Sequence, residues 1–309
     1  TYNIDMQIPE MPNLIHYAIP IFIITVVAEV IITVKVKMEE YPYKDAVSSI
    51  VMGLGNVFIG LFSKVFVLGV FLLIYNNLRL FTIPFTWWAW ILIFFAEDFA
   101  YYWFHRISHT SRFFWASHVV HHSSDNFNLG TAVRNGWFTI FYKPFYMWMP
   151  AIGFPPEMVI VCLGIEALWQ FQLHSTYVPK LGPLEWVFNT HTMHQVHHAK
   201  NIEYMDMNHG GFLNCFDKLF GTWKPLDESI DIEYGVTKPP NSYNPFIILT
   251  HEYKDIWKDM KRSKNWRHKF MYAFGPPGWS HDGSTLTIKQ YKKMLQEEKL
   301  QTEELKKAS

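Results

Sequence analysis

The sequence has little cysteine and no surplus of charge, and both shortages narrow what it can be. Cys162 and Cys215 are the two cysteines among 309 residues. They cannot build a disulfide framework or, by themselves, a thiolate metal cluster. Lys+Arg and Asp+Glu number 27 each, for a net charge of zero. That balance argues against a nucleic-acid partner, whose phosphates demand a basic surface. Charged residues make up 17% of the chain, against roughly 25% in soluble domains. No low-complexity tract marks a disordered segment. No cleavable signal peptide is expected, because the first apolar run lacks a basic start and a small-residue cleavage site.

Apolar and aromatic residues are abundant instead. Half the chain is hydrophobic and 18% is aromatic. Leu14–Val34 is a 21-residue run broken only by His16, Pro20 and Glu29. Val47–Tyr75 runs 29 residues with one charge, Lys64, and Phe81–Phe104 runs 24 with Glu97 and Asp98 near its end. About 20 apolar residues cross the roughly 30 Å hydrocarbon core of a bilayer, so all three are expected to span. The second is long enough to tilt, or to bend near Gly53, Gly55 or Gly60. Two shorter runs, Trp137–Phe154 and Glu157–His174, flank Pro155-Pro156 and predict a helical hairpin with both ends on one side. Lys35, Lys37 and Lys44, with the lysine-rich tail, place the loop near residue 40 and the region from about 176 onward in the cytoplasm.

The expected fold is an all-α, multi-pass integral membrane protein. It has about three transmembrane helices plus the hairpin, and a cytosolic helical cap. By composition, residues 1–104 carry the transmembrane helices, 105–222 the histidine-rich region with the hairpin 137–174, and 223–309 a cytosolic tail. Thr285–Lys307 reads as a charged terminal helix with Leu286, Tyr291, Met294, Leu295 and Leu305 as a partial stripe.

Fifteen histidines are present, eleven of them between His105 and His209. They form three clusters: His105 with His109; His118 with His121 and His122; His194 with His197 and His198. Spacings of three and four place each set on one helix face. Eight imidazoles suit two transition-metal ions better than one. The lack of Cys₂His₂ spacing excludes a zinc finger. The clusters follow the third apolar run and the hairpin, which places the metals at the membrane face. His174, ending the last apolar run, is a ninth candidate ligand; His191 and His209 lie near the third cluster and are candidates for it or its surroundings. Metal-bound imidazoles need a carboxylate or carbonyl to fix their tautomer. Glu97, Asp98, Asp125, Glu166, Asp206 and Asp217 are the acidic candidates. Asp98 is favoured, because it precedes His105 by seven residues on the same helix face.

At these residues the chain resembles the fatty acid hydroxylase/sterol desaturase superfamily of membrane di-iron oxygenases. The resemblance rests on Asp98 through His109, Trp115 through Ser124, Asn128-Leu129, Gln170 through His174, Gly182 through Glu185, His197-His198, Asn208 through Gly211, Asp217 through Thr222 and Gly275 through Trp279. It covers most of the chain from about 81 to 280. It implies a helical fold whose cap holds two irons, with His105, His109, His118, His121, His122, His174, His194, His197 and His198 as ligands. It further implies activation of O₂ to attack a lipid C–H bond. The ether-lipid branch fits best. There, electrons come from a reduced pterin, tetrahydrobiopterin, and the carbon beside the ether oxygen is hydroxylated, so that the product collapses to an aldehyde and glycerol. Zinc is expected to replace iron on purification, since it binds similar sites. Thr110 departs from that branch, where a carboxylate follows the second histidine. So do His191, at a position where proline is common, and His209, where tyrosine is usual. No motif locates a pterin pocket.

Two further readings compete. One is a sterol, carotenoid or fatty-acyl hydroxylase or desaturase of the same superfamily. The other is a non-catalytic metal-binding membrane protein or transporter. Transporters place their ligands on broken helices near the bilayer midplane, whereas these histidines follow the apolar runs.

Overall fold

A computed structural model describes the backbone of residues 14–308 and the side chains of 20–298 and 301. The side chains of His16 and Leu305 lie outside the described residues. The chain divides into two units, Thr1–Tyr41 and Pro42–Ser309. The first contains α1 (Leu14–Ile31), which runs into a π-helical turn, Ile32–Val36.

The second unit is helical, with two isolated β-bridges and no strand among its described residues. It opens with α2 (Tyr43–Leu78), followed by α3 (Trp87–Thr110) and α4 (Arg112–His122). Helix α2 has 36 residues, about 54 Å at 1.5 Å per residue. Among the described residues it is the one helix long and apolar enough to cross a bilayer. Leu54, Val57, Phe58, Leu61, Phe62, Val65 and Phe66 are all exposed along it, as suits a surface facing lipid. Its first turns differ: Asp45, Ser48, Ser49 and Met52 are buried. The helix is continuous through all three glycines proposed as bend sites. Gly55 serves packing instead, since a Cβ there would strike the Trp137 indole, whose Nε1–H donates to the Met52 carbonyl at 3.0 Å. Helix α3 covers the third expected run, but its aromatics and the acids Glu97 and Asp98 dilute its apolar character.

A single-turn helix, α5 (Leu129–Ala132), is capped by Asn128, whose side chain accepts from Thr131 N at 2.9 Å. The expected first arm of the hairpin is not one helix. It is a 3₁₀ helix, Thr139–Tyr146, followed by the short α6 (Trp148–Ile152). Pro144 and Pro150 each remove a backbone donor and favour these short pieces. The second arm is continuous as α7 (Pro156–Gln172), with its proline at the first turn, where no donor is lost. Gly153 makes the tight link, with φ +129°, and any side chain there would meet the Phe81 carbonyl. Val67, Phe71, Ala89, Ile93, Met149, Met158 and Val159 form the core joining α2, α3, α6 and α7.

The remaining elements are α8 (His191–His198), α9 (Cys215–Phe220), α10 (Pro245–Arg262), α11 (Trp266–Phe274) and α12 (Ile288–Ala308). Two buried arginines tie this region together. Arg134 lies between α2 and α4: it donates to Asp45 at 2.7 Å, the Val120 carbonyl at 3.1 Å and Ser123 at 3.1 Å. Arg112 fastens α4 to α10 through Glu252 at 2.6 Å and Asp259 at 2.8 Å.

Removing one partner of a buried ion pair leaves an uncompensated charge. Arg134→Met should therefore cost about 3–5 kcal/mol, whereas an apolar replacement of both Arg134 and Asp45 should cost less. Chemical or thermal unfolding in detergent measures both; equal losses would contradict the pairing.

Candidate metal centre

Helices α3, α4 and α8, with the turn that follows α7, bring all nine expected histidines into two groups. His105, His109, His118, His122 and His197 form one; His121, His174, His194 and His198 form the other. Within each group the ligand nitrogens lie within 4.8 Å of one another. The helical spacing decides the split. In α4, His118 and His122, four apart, face the first group, while His121 turns to the second. In α8, His197 joins the first group while His194 and His198 join the second. All eight residues of α8 are buried, so it carries its three imidazoles in the interior. The groups adjoin: the rings of His122 and His198 stack with centroids 4.2 Å apart.

The orientation of the rings indicates what belongs between them. His105 Nδ1 donates to the His209 carbonyl at 3.0 Å, His121 Nδ1 to Arg134 at 3.1 Å, His174 Nδ1 to Gln170 at 2.8 Å and His197 Nδ1 to Met207 at 3.0 Å. Carbonyls only accept, so each of these Nδ1 atoms carries the proton and each Nε2 of the neutral ring carries a lone pair. The Nε2 atoms of His121 and His174 nevertheless face each other at 3.1 Å. Two lone pairs at that distance repel, and a cation between them converts repulsion into binding. Metal–imidazole bonds of about 2.0–2.1 Å in tetrahedral or octahedral geometry set neighbouring nitrogens roughly 2.9–3.3 Å apart. His105 and His118, His118 and His122, and His174 and His194 also approach at 3.1 Å through their Nε2 atoms. His109, His197 and His198 each have a buried Nε2 without a hydrogen-bond partner among the described residues. The donor set, nine neutral imidazoles, fits transition-metal ions.

The imidazoles are neutral because they are buried. Burial pushes His121 and His197 down to about 4. Burial, followed by neighbouring imidazoles, holds His118, His122, His194 and His198 well below their ordinary value.

The acidic candidates are distributed differently from expectation. Asp98 accepts from the backbone amides of Phe212, at 2.7 Å, and Leu213, at 3.3 Å. No hydrogen bond among the described residues joins it to a histidine, so its place is to hold the 211–213 turn. Asp217 accepts from the amides of His209 at 2.8 Å and Gly210 at 2.7 Å and from Thr222 at 2.7 Å. Burial outweighs those three hydrogen bonds and raises its pKa to about 6. Asp217 thus fixes the peptide whose carbonyl orients His105. Glu166 accepts from Gln170, the residue whose carbonyl holds His174. Asp206 stands 3.8 Å from His109 Nδ1. Asp125 is instead beside Lys200, at 4.0 Å. Glu97 is buried, with one oxygen unpartnered among the described residues.

His209 lies beside the first group, with its ring centroid 5.1 Å from His109, and is not one of the five. His191, at the start of α8, belongs to neither group. Thr110 returns its hydroxyl to the Arg106 carbonyl. The sequence reading missed Arg134 and Met207, because a backbone carbonyl leaves no trace in residue type.

Residues 90–222 match the fatty acid hydroxylase family model. The chain is 34% identical over 273 residues to alkylglycerol monooxygenase of Homo sapiens, covering 87% of this chain and 61% of that one. It is 32% identical over 274 residues to the Xenopus tropicalis protein of the same name, covering 88% and 61%. An ornithine lipid hydroxylase of Rhizobium tropici is 27% identical over 148 residues, covering 45% and 43%. The chain therefore spans about three fifths of the length of the alkylglycerol monooxygenases named here. No solved structure matches it. The matched stretch begins within α3 and ends just beyond α9, so it contains every histidine of both groups.

The low pKa values set a pH dependence for the metal-free protein. Unfolded histidines take up protons near pH 6.5, whereas His121 and His197 resist protonation down to about 4. Their contribution to stability is complete above about 6.5 and is lost as pH falls toward 4. Metal content should fall over the same interval, because imidazole binds metal only when deprotonated. Unfolding and elemental analysis from pH 7.5 to 4 check this; a flat profile would count against neutral, buried rings.

Proposed function

We propose that this chain is a membrane-bound, O₂-dependent lipid monooxygenase using two iron ions. His105, His109, His118, His122 and His197 would hold one ion and His121, His174, His194 and His198 the other. Iron held there would supply the activation of O₂ for attack on an unactivated C–H bond. The observation that carries the reading is the close facing of Nε2 atoms in both groups, inside a stretch that matches the fatty acid hydroxylase family model.

The chain's own residues have separable tasks. The carbonyls of His209, Arg134, Gln170 and Met207 aim four imidazoles before any metal arrives. An all-imidazole set adds no negative charge, which keeps the ions electrophilic. Tyr101, edge-on to His105 at 5.3 Å, and Phe127, stacked on His174 at 5.4 Å, shield the rings from water. The lipid approaches along the apolar helices, and the cap lies on the cytoplasmic side, as the flanking lysines indicate.

The relatives named alkylglycerol monooxygenase support an ether lipid as substrate. Hydroxylation beside the ether oxygen gives a hemiacetal that collapses to an aldehyde and glycerol. Tetrahydrobiopterin is the donor this branch points to. A second reading, hydroxylation of an acyl chain, has support from the ornithine lipid hydroxylase.

Iron-loaded protein in nanodiscs, given O₂, tetrahydrobiopterin and an alkylglycerol, should release a fatty aldehyde and glycerol. A hydroxyacyl product from an ester lipid would favour the second reading. Bound metal without O₂ uptake on any lipid would remove both. His121→Ala and His197→Ala should each lower turnover by more than about 100-fold in a folded protein, since even partners outside the ligand set are worth about 10–100-fold.

A further inference from the structure

A cavity of about 170 Å³ opens onto the five-histidine group, with His109, His122 and His197 in its floor. Its walls include Trp115, Lys200, Asp206, Val236, Thr237 and Leu286. None of these wall residues belongs to an apolar run. They come from α4, the turns after α8, the 235–237 segment and the approach to α12. A lipid arriving along α2, α3 or α7 would reach the histidines from elsewhere, so this opening is a separate way in. At about 170 Å³ the cavity falls below the roughly 300–1,000 Å³ of pockets that hold drug-sized ligands. It admits a compact ring system rather than an acyl chain.

The lining defines the chemistry of the occupant. The Trp115 ring lies 5.2 Å from that of His109 and 5.7 Å from that of His122, between centroids, offering an aromatic surface beside the metal ligands. Planar rings gain from such stacking. Asp206 brings a carboxylate to the same place, 3.8 Å from His109 Nδ1, and a carboxylate accepts from N–H groups. Lys200 stands opposite in charge at the wall, held 3.7 Å from Glu233. A flat, small, water-soluble ring carrying N–H donors beside carbonyl or ring-nitrogen acceptors matches all three.

We propose that this cavity receives the electron donor, a planar reduced nitrogen heterocycle, while the lipid comes from the apolar side. The assignment rests on the monooxygenase reading. The balance is RH + O₂ + AH₂ → ROH + A + H₂O. The heterocycle AH₂ loses two electrons and two protons, one oxygen atom enters the C–H bond, and the other leaves as water. Separate entrances let the two reactants occupy the site together.

The test fills the cavity without touching a histidine. Val236→Trp places an indole at its wall, and Thr237→Trp does so from an exposed position that folding tolerates. Biopterin, an oxidised fluorescent pterin, is the binding probe, followed by fluorescence polarisation on iron-loaded protein in nanodiscs. Wild-type protein should bind it. Either variant that keeps wild-type iron content should bind it at least about tenfold more weakly. The KM for tetrahydrobiopterin should rise by a similar factor, while the KM for the alkylglycerol stays within about twofold. Failure of wild-type protein to bind biopterin, unchanged binding in the variants, or a rise in the lipid KM alone would overturn the assignment. Binding that the variants abolish, in a protein that oxidises no lipid, would uphold the cavity and remove the monooxygenase reading instead.

Discussion

The structure depends on one electrostatic constraint: unprotonated imidazole nitrogens are held facing each other in a largely buried cluster. His121 and His174 state it most plainly. Each spends its Nδ1 proton on a backbone carbonyl, and the two Nε2 atoms then meet at 3.1 Å. Protonation is opposed by the burial that lowers His121 to about 4. A metal ion between the rings would relieve the repulsion. Folding therefore stores an unfavourable arrangement that binding makes favourable, in the way that buried groups at functional sites depart from the rules of an ordinary core.

Holding that arrangement requires the carbonyls to be as well placed as the rings. Much of the buried charge outside the two groups serves this purpose. Asp217 grips the amides of His209 and Gly210, and the His209 carbonyl orients His105. Arg134 grips Asp45 and Val120 through its guanidinium, while its own carbonyl orients His121. The first turns of α2, which projects an exposed apolar surface further along, are thus connected through Asp45 and Arg134 to His121. Asp98 holds the 211–213 turn. Asp98 and Asp217 fasten backbone rather than bind the rings directly.

Eight of the nine histidines that gather here were legible in the sequence because spacing on a helix is a local property; His174 was read from its place at the end of an apolar run. Residues three and four apart share a face whatever the helix packs against, so His118 with His121 and His122, and His194 with His197 and His198, declared themselves. The helical character of α2, α3 and α7 was legible for the same reason, through apolar runs bounded by proline or charge. Other features were not. The hairpin arm 137–154 reads as one apolar stretch, yet Pro144 and Pro150 divide it into a 3₁₀ helix and a short turn of α-helix. Asp98 shares a face with His105 by spacing, but the amides of residues more than a hundred positions later claim its oxygens.

Sequence alone determined which residues bear imidazoles, that they come in helical clusters, and that α2 is long and apolar enough to cross a bilayer. Tertiary structure decided how nine rings divide into five and four, which carbonyls fix four of the tautomers, and where a small cavity reaches them. The physical reason is range: helix periodicity is set by neighbours within a turn or two, whereas a tautomer or a pocket is set by whatever the fold brings alongside.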